Sequence, residues 1–280
     1  MKYATALLVL TVWSLTSTAV SGLEPFGMPR SEVVPIEDKA NDRQYALYIK
    51  LPESYRENPE KRYPVIYTTD AKWHMDLLSG TTEYLMPEVI LVGISWQLDV
   101  GDEREFVSRF RDYTPVASTN PERQAQYNFG QAAEHLSFIR DGVISFVEQN
   151  YRANDQRAYL GYSLGGAFGA FVLFSEPDTF DRYILGSPAF NEISLAFSST
   201  LAQQNGAKLE TSKPGVFVSL GELETSEVDL ANGFMTVLER AADSGLSHTG
   251  LQIIENSDHG SAVPETFVRG IKWLKQQFGQ

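Results

Sequence analysis

The sequence predicts an α/β protein with a mostly parallel central sheet and helices on both of its faces. Three observations carry that expectation. Short apolar runs alternate along the chain with longer stretches of helical periodicity, the pattern of a sheet built from crossover units. The run VILVGIS (89–95) is apolar at almost every position, which suits a parallel strand covered on two sides. A chain of 280 residues with 42% hydrophobic content can bury a large core, and its length suits a single domain over residues 22–280.

Residues 1–21 read as a secretory signal peptide. Lys2 gives the positive start, ALLVLTVW the apolar centre, and Ala19 and Ser21 the small residues of a cleavage site. The mature chain is expected to begin near Gly22 or Leu23, with a secreted or periplasmic location. The apolar stretch is shorter than the about 20 residues of a membrane span, so no stable insertion is expected after cleavage. The chain has no cysteine, which excludes a disulfide framework, thiolate zinc sites and thiolate catalysis. A formal charge of −13 disfavours nucleic acid and anionic membranes as partners.

Taken in order, QYALYIKLP (44–52) alternates apolar and polar positions and ends at Pro52, as a half-buried strand does. A charged, turn-rich connection leads to VIYTT (65–69), a buried strand, and then to VILVGIS. FIRDGVISFVEQNY (138–151) places Ile139, Val143, Phe146 and Val147 at helical spacing. RAYLGYS (157–163) is the next strand, LGGAFGAFVLFSE a helix, RYILGS (182–187) a strand, GVFVSLG (215–221) another and LQIIENS (251–257) another. FVRGIKWLKQQF closes the chain as an amphipathic helix. The stretches 97–133 and 189–213 exceed what a connection needs, and long excursions of this kind serve as lids or substrate walls.

GYSLGG (161–166) sits where a strand meets a small-residue-rich helix. That context makes GxSxG a nucleophile elbow, in which the serine occupies a strained turn between glycines that let strand and helix pass closely. The N–H groups and dipole of the following helix face the site where an anion develops. Ser163 is therefore the candidate nucleophile. A serine hydroxyl needs a base, and the base needs an orienting acid.

Topology sorts the four histidines. In a parallel sheet the elbow lies at the carboxyl edge, so its partners come from loops leaving strands at that edge. His248 precedes its strand and falls at the opposite edge, whereas His259, in NSDHGS, leaves that strand at the correct one. His135 lies on or beside a helix, as a packed or exposed residue. His74 leaves VIYTT at the correct edge but precedes the serine, against the chain order Ser, acid, His, and is expected to line the pocket. The acid follows VFVSLG, where GELETSE offers both Glu222 and Glu224; Asp258 is too near His259 to turn back onto it.

From about Tyr45 to Trp273 the chain resembles the putative esterase family of α/β-hydrolases, which includes enterochelin-type siderophore esterases, S-formylglutathione hydrolases and mycolyl transferases. The resemblance is carried by YPVIYTTDA, RDYTP (111–115), GYSLGGAFGAFVLFSEPDTFDRYILGSP, GELE and DHGS with its C-terminal helix. It implies an α/β-hydrolase fold and places the acid, which follows a glycine a few residues past the strand, at Glu224. It also implies an oxyanion hole made by the N–H of Leu164 and that of Lys72. Relatives read Asp-Gly where this chain has Asp70-Ala71, and alanine tolerates positive φ poorly. After Ser-Pro the family commonly carries a tryptophan, whereas SPAFN carries Phe190.

The expected protein is a secreted serine carboxylic-ester hydrolase that forms an acyl-enzyme on Ser163 and needs no metal or cofactor. Its substrate is a small-molecule ester, of siderophore or aryl type. An acyltransferase would use the same triad, and a binding protein would keep the fold without the chemistry. Trp73, His74 and Trp96 are expected to contact substrate, with Tyr113, Tyr127 and Phe129 extending an aromatic wall. Arg111 is expected to meet an anionic substrate, with Arg109 beside it.

Overall fold

A computed structural model describes residues 27–101 and 104–280. The expected signal peptide, with its cleavage site, lies outside the described residues. Among the described residues, eight strands form one sheet: β1 (Ser31–Asp38), β2 (Arg43–Lys50), β3 (Tyr63–Thr68), β4 (Ile90–Ile94), β5 (Ala153–Tyr162), β6 (Arg182–Gly186), β7 (Gly215–Gly221) and β8 (Ser247–Ile254). Their order is β1-β2-β4-β3-β5-β6-β7-β8. Strands β1, β2 and β4 pair antiparallel, and every other pairing is parallel.

The helices are α1 (Ala71–Leu85), α2 (Ser108–Asp112), α3 (Pro121–Tyr127), α4 (Ala132–Ser137), α5 (Ser145–Asn150), α6 (Leu164–Ser175), α7 (Glu192–Gln204), α8 (Gly206–Ser212), α9 (Val228–Ala242) and α10 (Ala262–Gln277). A π-helical turn, Phe138–Ile144, joins α4 to α5. Such π-turns insert one residue into the helical repeat. The amphipathic stretch expected over 138–151 is therefore two helical registers.

Alternating side chains on the central strands feed two separate cores, one per face, as a doubly covered parallel sheet requires. Ile66, Leu160 and Ile184 pack with Met75 and Leu78 of α1 and with Phe267, Ile271 and Leu274 of α10. Val65, Tyr67, Tyr159 and Leu185 face the other way, against α6 and α9 through Phe168, Val172, Phe234 and Leu238. The parallel strands β3, β5, β6, β7 and β8 all end at one rim, and the loops leaving that rim carry the candidate site.

β1 is not among the strands expected from the sequence, for a physical reason. Most of SEVVPIED is exposed, and Pro35 lies within it, as befits an edge strand. It shows no clean apolar alternation. The excursions 97–133 and 189–213 contain α2, α3 and part of α4, and α7 and α8 respectively. They meet across a cavity of about 400 Å3, lined from one side by Phe110, residues 113–120, Arg123 and Phe129, and from the other by residues 189–191, Ile193, Ser194 and Ser198. Among the described residues, no helix is long and apolar enough to cross a membrane.

Candidate active site

β5 ends at Tyr162, and the chain turns at Ser163 directly into α6. Ser163 has φ 57° and ψ −121°, a conformation few non-glycine residues adopt. Its surroundings over-determine it. The Ser163 N–H donates to the Gly186 carbonyl at 2.9 Å, and its carbonyl accepts from the N–H groups of Ala167 and Ala189, each at 3.0 Å. A Cβ on Gly161 would lie 2.3 Å from the Gly165 carbonyl oxygen, so strand and helix meet only because that position has no side chain. The Tyr159 hydroxyl lies 2.8 Å from the Gly165 carbonyl oxygen and 2.9 Å from Thr69 Oγ1, joining the first turn of α6 to the end of β3.

Leu164 opens α6, where the first N–H groups of a helix have no intrahelical acceptor. Lys72 is the second residue of α1, and its ammonium pairs with the Glu105 carboxylate. The left-handed conformation at this turn belongs to Asp70, with φ 55°, while Ala71 is helical. Aspartate visits that region more readily than most residues. The Asp-Ala sequence thus needs no positive φ at alanine.

Glu224 is held on a turn after β7, and its carboxylate is almost wholly buried. Its Oε1 accepts from the Gly221 N–H at 2.8 Å and from the Ser187 hydroxyl at 2.7 Å. Its Oε2 lies 2.5 Å from Nδ1 of His259, on the loop between β8 and α10. The neighbouring Glu222 is exposed and accepts from the Asn256 N–H instead. Asp258 caps the turn, accepting from the N–H groups of Gly260 and Ser261 and from the Ser261 hydroxyl, and these bonds hold its carboxyl below the usual range. The Tyr162 hydroxyl donates to the His259 carbonyl at 2.7 Å and lies 2.9 Å from Ser187 Oγ. Burial pushes its phenol up to about 12, so it stays a donor at neutral pH.

Half of the His259 side chain is exposed, and it shares a cleft of about 400 Å3 with Ser163, Tyr162, Asp70, Trp73, His74, Arg109, Gly260 and Val263. Among the described residues, Ser163 Oγ makes no hydrogen bond to the imidazole. His74 is buried, with Nδ1 3.2 Å from the Thr69 carbonyl oxygen, and burial lowers its pKa, so it is neutral at neutral pH. Trp73 is exposed at the cleft mouth, edge-on to Trp96. Trp96 itself is buried behind the cleft and donates its indole N–H to Asp70 Oδ1 at 2.6 Å.

The two arginines part ways. Arg109 is buried at the cleft floor, donating to both Asp70 oxygens at 2.9 and 2.8 Å, with its guanidinium over the rings of Trp73 and Tyr113. Arg111 lies outside the cleft lining, paired with Asp112 at 2.8 Å and close to the Tyr45 hydroxyl. Residues two apart on a helix point to different faces, which explains the separation. The missed contributors are Asp70, Tyr162 and Ser187. GYS gave a hint of Tyr162, but nothing in the spacing of Ser187 announces a contact with Glu224.

His135, buried in an aromatic box of Tyr45, Tyr113, Phe138 and Phe168, takes no part in this cleft. His248 lies on β8 opposite Val216, near the strand starts and away from the rim that carries Ser163. Among the described residues, no group of three or more His, Asp or Glu is placed to hold a metal.

The sheet, the elbow and the crossing helices are those of the α/β-hydrolase fold, and comparison with known proteins agrees. An IroE-like serine hydrolase from Shewanella oneidensis superposes with TM-score 0.75 at 21% identity, covering 89% of this chain and 81% of that one. The BES protein from Bacillus cereus does so at TM-score 0.75 and 22% identity, covering 92% and 98%. In sequence, the chain is 29% identical over 181 residues to the ferri-bacillibactin esterase BesA of Bacillus subtilis, a match spanning 59% of this chain and 61% of that relative's length. It is 26% identical over 218 residues to the siderophore triacetylfusarinine C esterase of Aspergillus fumigatus, spanning 71% and 70%. The profile of the family described as "Putative esterase" matches residues 39–225, well over half of the chain. This chain belongs to the putative esterase family.

Proposed function

We propose that the protein is a serine carboxylic-ester hydrolase that works through an acyl-enzyme on Ser163 and acts on siderophore-type esters. The observation that carries the reading is the 2.5 Å contact of His259 Nδ1 with a buried, doubly hydrogen-bonded Glu224, in a cleft whose wall includes Ser163. With Nδ1–H donated to the carboxylate, Nε2 is the imidazole's proton acceptor.

In the reaction, Nε2 takes the Ser163 proton as Oγ bonds to the ester carbonyl carbon. The carbonyl electron pair moves onto oxygen, which the N–H groups at Leu164 and Lys72 stabilise, each such donor contributing about 3 kcal/mol. Collapse breaks the bond to the alcohol oxygen, which receives the proton from His259. Water then repeats the cycle and releases the acid. Glu224 keeps the tautomer and stabilises the cation. No step draws on a metal or cofactor.

Siderophore esters are favoured by the relatives, two of which are named as esterases of bacillibactin and triacetylfusarinine C. The signal-like segment 1–21 supports export, and N-terminal sequencing of protein recovered from the periplasm or medium tests that. The activity is tested by turnover of a siderophore trilactone, a feruloyl ester, a short-chain nitrophenyl ester and an S-acyl glutathione. The trilactone should be cleaved fastest and Ser163→Ala should abolish the cleavage. Full turnover by the alanine variant would reject the mechanism, and preference for the thioester would reject the substrate class.

A further inference from the structure

Two cavities of similar size flank the elbow and share no lining residue. One is the cleft of His259, Trp73 and Arg109. The other, between residues 110–129 and 189–198, reaches the elbow through Leu164 and Ala167 of α6. Ala189, in its wall, donates its N–H to the Ser163 carbonyl. Ser163 therefore stands at the junction.

The order of bond changes assigns the two sides. As the tetrahedral intermediate collapses, His259 must reach the departing alcohol oxygen, so the alcohol lies in the cleft that holds the imidazole. The oxyanion points to the Leu164 N–H, and the fourth substituent on carbon, the acyl group, is left to the Leu164 and Ala167 side.

The chemistry of the second cavity is specific. Phe110, Phe129 and Phe190 give it flat apolar walls. Among the described residues, Arg123 is its one charged lining residue, and that guanidinium joins no ion pair. It sits over the Phe129 ring at 5.4 Å, at the exposed rim. Arg109 across the elbow is different, because Asp70 already neutralises it.

We propose that the cavity between residues 110–129 and 189–198 holds the acyl part of the substrate, and that Arg123 selects planar acyl groups carrying an anionic oxygen at the end remote from the ester. The proposal rests on the reading of Ser163 as the acylated residue. Arg123 is a specificity residue in it, not a participant in bond making.

The test compares 4-nitrophenyl esters of 4-carboxybenzoic acid and 4-methylbenzoic acid, which share a leaving group and differ in charge at the acyl end. Arg123→Gln should lower kcat/KM for the carboxybenzoyl ester by about threefold or more, the scale of an exposed ion pair, and leave the methylbenzoyl ester within about twofold. Arg123→Lys should recover part of the loss. A mirrored pair, benzoate esters of 4-hydroxybenzoic acid and of 4-methylphenol, carries the charge on the alcohol and should not respond. An equal effect on both acyl esters, no effect on either, or an effect that follows the charge on the alcohol would overturn the assignment while turnover still depends on Ser163. Turnover that survives Ser163→Ala would instead remove the underlying reading.

Discussion

Glu224 presents one carboxylate oxygen to His259 Nδ1 at 2.5 Å while its other oxygen accepts from the Ser187 hydroxyl at 2.7 Å and the Gly221 N–H at 2.8 Å. The carboxylate is fixed from both sides, and Ser187 is itself in contact with Tyr162, whose hydroxyl donates to the His259 backbone. A closed circuit of β5, β6, β7 and the loop after β8 thus sets the imidazole's position. Glu224→Gln keeps the shape but loses the carboxylate that fixes the tautomer. It should lower kcat by roughly a thousandfold or more. Glu222→Gln, two residues away, only neutralises an exposed acceptor of the Asn256 N–H and should leave kcat within about twofold, so paired steady-state kinetics on the two variants separates the roles.

Arg109→Met should be costly to the fold. It takes the paired guanidinium from the fully buried Asp70 carboxylate, which keeps the Trp96 indole, and stranding a buried charge costs about 3–5 kcal/mol. Thermal unfolding should show a Tm lower by roughly 10 °C. Arg111→Met removes one of two guanidiniums beside the buried Asp112, which keeps Arg43 at 3.5 Å, and should shift Tm less.

Gly161→Ala tests the elbow's construction. The added methyl would press on the backbone carbonyl of Gly165, which cannot yield without moving the first turn of α6. The expected result is loss of activity together with a lowered Tm, whereas Gly80→Ala, where a Cβ meets nothing within 4 Å among the described residues, should retain both.

Stability should fall in mild acid because of His135. Burial lowers its pKa below the ordinary 6.5, and among the described residues neither ring nitrogen has a hydrogen-bond partner. Above pH 6.5 both folded and unfolded forms carry the neutral imidazole. As pH falls through 6.5 the unfolded chain binds a proton that the folded one resists, so folding free energy is lost from there down to the folded pKa. His135→Phe, which fits the aromatic box, should shrink the drop in Tm between pH 7.5 and pH 5.5; His74 has the same sign of shift and leaves a residual slope.

Much of this was legible in the sequence because parallel topology constrains it. The elbow motif fixed one rim, and only loops leaving strands at that rim could supply partners, which separated His259 from His248. Strands such as VILVGIS announced themselves by continuous apolarity. The rest depended on tertiary placement. Arg109 and Arg111 look equivalent on a short helix until its docking turns one to Asp70 and the other to Asp112. Glu222 and Glu224 differ only in which way a tight turn points them. β1, at the exposed edge, carried no apolar period to detect, and the π-turn at Phe138–Ile144 has no compositional mark.

The most direct measurement is peptide mapping by mass spectrometry after reaction with a fluorophosphonate. The account predicts one adduct, on Ser163, appearing at a rate that collapses in His259→Ala, with ester turnover lost in proportion to labelling. An unlabelled Ser163 in protein that still hydrolyses its ester, or an adduct on another residue that abolishes turnover, would contradict it.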